Sequence, residues 1–261
     1  MNVGRVEIVV HPTKPGAADL QHELETWLKE KGIEVGPENP DLVISIGGDG
    51  TTLRAAQRAH EGNAPLLAIN RGALGYLTEV EAGEETHALE RIFNEDFTLE
   101  ERLVLECRVD DDKSYVAVNE VLVERSARQR LVHLSVEVSG ERLATFGADG
   151  VIVSTPTGST AYALSAGGPI VDPKTHCLVF VPVNAHMVFN RAVVLSASEV
   201  VTIKVQEPTR GASLAIDGAD GCLLAPNATI IVRKHPRPIH FVRLSGPGFL
   251  ERLRTKLRLP D

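Results

Sequence analysis

The feature that most constrains the fold is a change of texture near Phe97. Before it, strand-like and helix-like segments alternate. RVEIVV (5–10) is rich in β-branched residues, and AADLQHELETWLKEKG (17–32) sets Leu20, Leu24, Trp27 and Leu28 on one helical face with Gly32 as a stop. DLVISI (41–46) is a short continuous apolar run, TTLRAAQRAH (51–60) a helix candidate, and PLLAIN (65–70) another strand. Such alternation predicts a parallel sheet with covering helices, whose ligands sit beyond the carboxyl ends of the strands. After Phe97 the segments FTLEERLVLECRV, KSYVAVNEVLVE, LVHLSVEV, ERLATFGADGVIVS, CLVFVPV, VVTIKVQ and ATIIVRK read as successive strands. The last stretch, IHFVRLSGPGFLERLRTKL, gives one strand and an amphipathic helix that suit a return to the first domain. The expected organisation is an α/β domain over 1–98, completed by about 235–261, and a β-rich domain over 99–234.

A chain of 261 residues buries an ample core without disulfides or structural metal. Its three cysteines, Cys107, Cys177 and Cys222, are too dispersed for a disulfide framework or a zinc pattern and read as buried small hydrophobes. The nine histidines show no H-E-x-x-H or related spacing, which argues against a dedicated transition-metal site. A net charge of -8 leaves no basic surplus for nucleic acid. No apolar run approaches a membrane span, and the start MNVGRVEIVVHP lacks a secretory pattern, so a cytoplasmic protein without membrane or nucleic-acid partners is expected.

Chemistry concentrates in three places. In ISIGGDGTTL (44–53) an apolar strand runs into glycines that let a ligand approach the backbone, yet Asp49 sits among them. A pure phosphate cradle would avoid that carboxylate. Taken alone the turn reads equally well as a tight strand-to-helix connection, with Asp49 near an N-cap and Thr51 or Thr52 helping to cap. The G-x-x-x-x-G-K-[ST] loop, the protein-kinase motifs, the G-x-S-x-G elbow and the G-x-G-x-x-G fingerprint are all missing.

The second place is FGADGVIVSTPTGSTAYALSAGGP (146–169), a run of glycine and hydroxyl residues followed by a short helix, able to offer N–H and O–H donors to a ribose or pyrophosphate. The third is VNEVLVE, where Asn119 and Glu120 interrupt an apolar strand. An exposed strand edge would account for that pair. Alternatively, an Asn can read an adenine edge and a carboxylate can accept from ribose hydroxyls. With Asp149 and Asp49 they form scattered acids expected to converge, which suits hydroxyl recognition better than phosphate recognition.

GGDGTTLRAA, NRGALGYLTE, VNEVLVE and DGVIVSTPTGSTAYALSAGGPIV, in this order, resemble the signature set of the NAD kinases. The resemblance implies an N-terminal α/β domain, a β-sandwich-like C-terminal domain, and ATP-dependent phosphorylation of the adenosine 2′-hydroxyl of NAD to give NADP. It also implies assembly as a homodimer or homotetramer. Carried over, Asp49 matches the proton acceptor. Gly47, Gly48, Gly50 and Thr51 match the turn near the ATP phosphates, and Gly50 also lies beside the dinucleotide. Asn119, Glu120, Asp149, Thr157, Thr160, Ala161, Tyr162, Ala163, Leu164 and Ser165 match dinucleotide contacts; Arg54 and Arg130 match positions often basic and near the ligand. Magnesium, or another divalent metal, is expected to arrive on ATP rather than in a protein site. Two positions depart from the family pattern: Gly147 stands where a basic residue is common before the acid, and Ala219 replaces an amide in DGAD. Two rival readings are a lipid kinase of the diacylglycerol or sphingosine type sharing the GGDG loop, and a non-catalytic dinucleotide-binding sensor.

Overall fold

The computed structural model describes residues 3–72, 75–110, 113–126, 130–207 and 211–259. The chain divides into two compact units, Met1–Arg102 together with Pro238–Asp261, and Leu103–Arg237. Among the described residues no helix is long and apolar enough to cross a membrane.

The first unit is a sheet with strands β1 (Arg5–Val10), β2 (Glu34–Val35), β3 (Leu42–Gly47), β4 (Leu66–Asn70) and β5 (Thr98–Arg102), joined by a returning strand, Ile239–Arg243. Their order is β2-β1-β3-β4-returning strand-β5. Every residue of β3 and β4 is buried, as expected of central strands covered on both faces. Helix α1 (Ala17–Glu30) buries Ala17, Leu20, Leu24 and Leu28. These join Ile44, Ile46, Leu67 and Ile69 in one core. Helix α2 (Asp49–Gly62) begins directly beyond β3 and stops where Asn63 turns left-handed at φ 51°.

The sheet is mixed where the alternation predicted parallel strands throughout: β5 runs antiparallel to the returning strand. FTLEERLVLECRV is therefore two strands, because its charged first half pairs at this sheet's edge, where charged side chains blunt further pairing. Its second half begins the other unit. Helix α3 (Glu85–Phe93) precedes β5, and the unit ends in the terminal helix Phe249–Leu257.

The second unit contains β6 (Leu105–Val109), β7 (Lys113–Ala117), β8 (Glu120–Arg125), β9 (Val132–Val138), β10 (Glu141–Ala148), β11 (Gly150–Ser154), β12 (Cys177–Val183), β13 (Val193–Ser196), β14 (Val201–Val205), β15 (Ala212–Ile216), β16 (Ala219–Leu224) and β17 (Thr229–Lys234). They form two antiparallel sheets, β10-β9-β14-β17-β6-β7 and β13-β12-β11-β8-β15-β16. Alternate residues of both, such as Val132, Leu134 and Ile203 from one and Val121, Val151 and Phe180 from the other, share a single core, which makes the unit a sandwich. KSYVAVNEVLVE and ERLATFGADGVIVS, each read as one strand, are each two. The chain leaves one sheet for the other at Val118–Asn119 and again at Asp149. The apolar pattern continues through both breaks because each half faces the same core, and only the polar residue marks the crossing. The outer face of the second sheet carries a smaller apolar cluster, Leu122, Ile152, Val179 and Val181 among it, capped by Ala163.

Candidate active site

Asp49 is the first residue of α2, half-buried, and Gly48 is the N-cap, with no side chain capping the helix. The capping alternatives for Asp49, Thr51 and Thr52 therefore fall. The Asp49 carboxylate reaches away from its own helix: Oδ2 accepts the Tyr76 N–H at 3.0 Å and Oδ1 the Leu77 N–H at 3.0 Å. Both donors belong to the turn that leaves β4. A side chain at Gly75 is excluded, since its Cβ would lie 2.2 Å from Asp49 Oδ1. Thr52 packs inward, its hydroxyl 3.1 Å from that of Ser45 and 3.2 Å from the Gly48 carbonyl.

The glycines of the turn have different reasons to be glycine. A Cβ on Gly47 would meet the Thr51 hydroxyl at 2.3 Å, so the fold itself requires that residue. Gly50 has nothing within 4 Å and Gly48 only Lys14 Nζ at 3.7 Å, so neither is needed for packing. Both line a cleft of about 370 Å³ together with His11, Pro12, Lys14, Thr51 and Arg54. The exposed Arg54 is joined there by His11 and Lys14, two basic residues from the end of β1 that the sequence did not single out. Thr51 Oγ1 is buried and has no hydrogen-bond partner. A basic cleft at a helix N-terminus, with bare backbone and an unused hydroxyl, suits an anion.

In the second unit, Glu120 lies on β8 between β11 and β15, and is 5% exposed, which removes the strand-edge explanation. It is organised by a residue far along the chain. Asp217 and Gly218, at φ 50° and 76°, make the tight hairpin between β15 and β16. That turn aims the Asp217 carboxylate back at three consecutive amides, Val118 N at 2.9 Å, Asn119 N at 2.7 Å and Glu120 N at 3.1 Å. Burial raises the pKa of Asp217, and the three amides oppose it. Glu120 Oε2 is buried without a partner. Burial, and then Asp217, push the Glu120 carboxyl up to about 7. The Asn119 carboxamide has no hydrogen bond among the described residues and is half-buried, whereas its carbonyl accepts from Thr155 N and the Ser154 hydroxyl.

The hydroxyl-rich run works largely for the fold. Thr155 Oγ1 donates to Val118 O at 2.6 Å and accepts the Gly158 N–H. Ser159 Oγ binds both the carbonyl and the N–H of Val171. Gly158 is glycine because a Cβ would meet the Asn119 carbonyl at 2.2 Å. The run makes a 3-10 turn, Thr157–Thr160, and helix α4, Tyr162–Ser165. Thr157 is buried, and Thr160 and Ala161 are half-buried, with Thr160 Oγ1 3.4 Å from the Thr157 carbonyl. Ala163 is fully buried on the outer face of the sheet, so it seats α4. Tyr162 and Ser165 stay exposed and Leu164 half-exposed. Partial burial, then the nearby acids Glu124, Asp149 and Glu120, raise the Tyr162 pKa. Within this unit Glu120 and Asp149 both act on Tyr162 but lie at opposite ends of β8. Register sets Asp149 beside the far end of β8, opposite to Glu120, where it pairs with Arg125 at 2.9 Å and accepts from Asn184 at 3.0 Å. Arg130 is an exposed residue preceding β9. Ala73 and Leu74 of the NRGALGYLTE motif lie outside the described residues.

The chain matches the ATP-NAD kinase N-terminal domain over residues 37–97 and the ATP-NAD kinase C-terminal domain over 118–244. An NAD kinase of Gemmatimonas aurantiaca is 41% identical over 245 residues, covering 91% of this chain and 85% of its own length. One of Corynebacterium jeikeium is 37% identical over 263 residues, covering 98% and 80%. Among solved structures, yeast NADH kinase complexed with NADH has a TM-score of 0.88 at 25% identity, covering 99% of this chain and 89% of that one. An NAD kinase from Archaeoglobus fulgidus in complex with ATP has a TM-score of 0.78 at 25% identity, covering 98% and 100%.

Proposed function

The chain belongs to the NAD kinase family, and from that premise we propose that it transfers the γ-phosphoryl group of ATP to the adenosine 2′-hydroxyl of NAD, giving NADP, with Asp49 as general base. The observation that carries the role of Asp49 is its tether to the Tyr76 and Leu77 amides. A carboxylate spent on capping would be unavailable, whereas this one takes a single amide on each oxygen and keeps lone pairs for a proton. A ribose hydroxyl is a poor nucleophile at neutral pH, and an oriented carboxylate accepting its proton during attack lowers the barrier. The cleft formed by His11, Lys14, Gly48, Gly50, Thr51 and Arg54 is the place we assign to the phosphates of ATP. Asn119 and Glu120 are assigned to the dinucleotide; the buried Glu120 Oε2, still lacking a donor, suits a ribose hydroxyl. Tyr162 and Ser165 offer exposed polar groups to the same ligand.

Magnesium belongs to this reading as the ion that neutralises the ATP phosphates. An ion of this kind keeps several waters and needs few protein ligands, so it would be bound mainly by phosphate oxygens and water. Three free cysteines suit the reducing cytoplasm, where we place the reaction. Apolar side chains left exposed on the second unit, Val188 and Phe189 among them, support association into a homodimer or homotetramer. The exposed, polar α4 face offers nothing to a lipid acyl chain, and a lipid kinase finds no support in the relatives. Incubation of the purified protein with ATP, Mg²⁺ and NAD should yield NADP, while NAD lacking its adenosine 2′-hydroxyl should bind without being phosphorylated. Phosphate incorporation into that analogue at the rate seen for NAD would refute the regiochemistry.

A further inference from the structure

The terminal helix Phe249–Leu257 buries one residue, and it is an arginine: Arg252 is 3% exposed. A guanidinium removed from water needs its donors satisfied. Here Nε donates to the Pro247 carbonyl at 2.8 Å and Nη2 to Glu79 Oε2 at 3.1 Å. Nη1 donates to the Gly75 carbonyl at 3.2 Å and to the Thr78 carbonyl. These two carbonyls bracket the turn whose amides hold Asp49. The Gly75 carbonyl and the Tyr76 N–H are two ends of one peptide group. A continuous path therefore runs from Arg252 Nη1–H to the Gly75 oxygen, through that peptide, and from the Tyr76 N–H to Asp49 Oδ2. Drawing charge toward a peptide's oxygen makes its N–H a stronger donor, so the cation reinforces the bond that orients the carboxylate. The two side chains also interact through space: burial and Arg243 lower the Arg252 pKa, and Glu79 and Asp49 act against that lowering.

We propose that Arg252 is a positioning residue for phosphoryl transfer, setting the Asp49 carboxylate through the Gly75–Tyr76 peptide. The proposal rests on the reading of Asp49 as the base. It makes the terminal helix part of the catalytic apparatus, although no residue of that helix needs to touch a substrate. Lysine keeps the charge at this position but lacks the planar fork that reaches two carbonyls and a carboxylate together.

The test uses the full chain carrying Arg252→Lys or Arg252→Met, each also combined with Asp49→Asn. Arg252→Lys should lower kcat about tenfold and leave the KM for NAD within about twofold, because a misplaced base costs rate and not ground-state binding. In the Asp49→Asn background the same substitution should change the residual rate by less than about twofold, since the path then ends on no base. The Tyr76 amide should exchange with solvent roughly tenfold faster in Arg252→Lys than in the wild type. Wild-type kcat in Arg252→Lys, or an equal loss in both backgrounds, overturns the proposal. So does failure of both single variants to fold, which would make the residue structural only. If the wild-type protein forms no NADP, the reading of Asp49 fails, and amide exchange still decides the coupling: faster exchange at Tyr76 upholds it and unchanged exchange ends it.

Discussion

At the scale of single residues, the structure changes what a substitution at Asp49 should do. Both carboxylate oxygens receive a backbone N–H, so Asp49→Asn turns an NH₂ toward one of those donors. Stability should fall by about 1–3 kcal/mol, the cost of an unpaired polar group. The rate should fall far more, by roughly 10²- to 10⁴-fold in kcat, because the amide cannot take the proton. Kinetics below the melting range, on variant protein shown to be folded, separate the two effects. Near-wild-type turnover there would remove Asp49 from the base role. Glu120 yields a prediction of different sign. Its carboxyl is raised to about 7 in the folded protein against 4.5 as its ordinary value. The folded state thus holds a proton that the unfolded state releases between those pH values, and stability declines as pH rises through that window. Melting of the ligand-free protein should show this decline. Glu120→Gln should flatten it and be the more stable form above pH 7. An identical slope in the variant would mean that another group is responsible.

At the scale of elements, the β15–β16 hairpin fixes the geometry of the Asn119–Glu120 segment from nearly a hundred residues away. Asp217→Ala would leave three amides without their shared acceptor. Urea unfolding should report a loss of about 3 kcal/mol. NAD affinity by calorimetry should fall more than about tenfold, since the segment that reads the dinucleotide loses its support. Lost stability with unchanged NAD affinity would reduce the hairpin to scaffolding. This arrangement also shows what was legible in the sequence. The glycine turn after an apolar strand and the polar interruption at Asn119–Glu120 are local signals, and each falls at a real turn or strand break. Periodicity could not show that KSYVAVNEVLVE changes sheets at Asn119, because both halves face one core. Nor could it find the donors that hold Asp49, or Arg252, whose contacts depend on long-range packing rather than spacing. Ser154, Thr155 and Ser159 looked like ligand donors and are fold-internal. A hydroxyl in a glycine-rich run carries no mark of which way it points.

At the scale of the whole molecule, the two units carry different chemistry: a basic cleft and a tethered carboxylate in the first, buried acids in the second. That division fits the net charge of -8, because the cations for a polyphosphate are gathered locally and the rest of the chain stays acidic. The first unit is assembled from both ends of the chain, with Leu103–Arg237 inserted between them. During synthesis, the strand Ile239–Arg243 and the helix bearing Arg252 emerge after the whole of Leu103–Arg237. A nascent chain holding every residue assigned to NAD and ATP still lacks the part that braces its carboxylate. Translation order therefore sets when the first unit can close: until the strand that joins β4 to β5 arrives, neither its sheet nor the brace on the Asp49 carboxylate is whole.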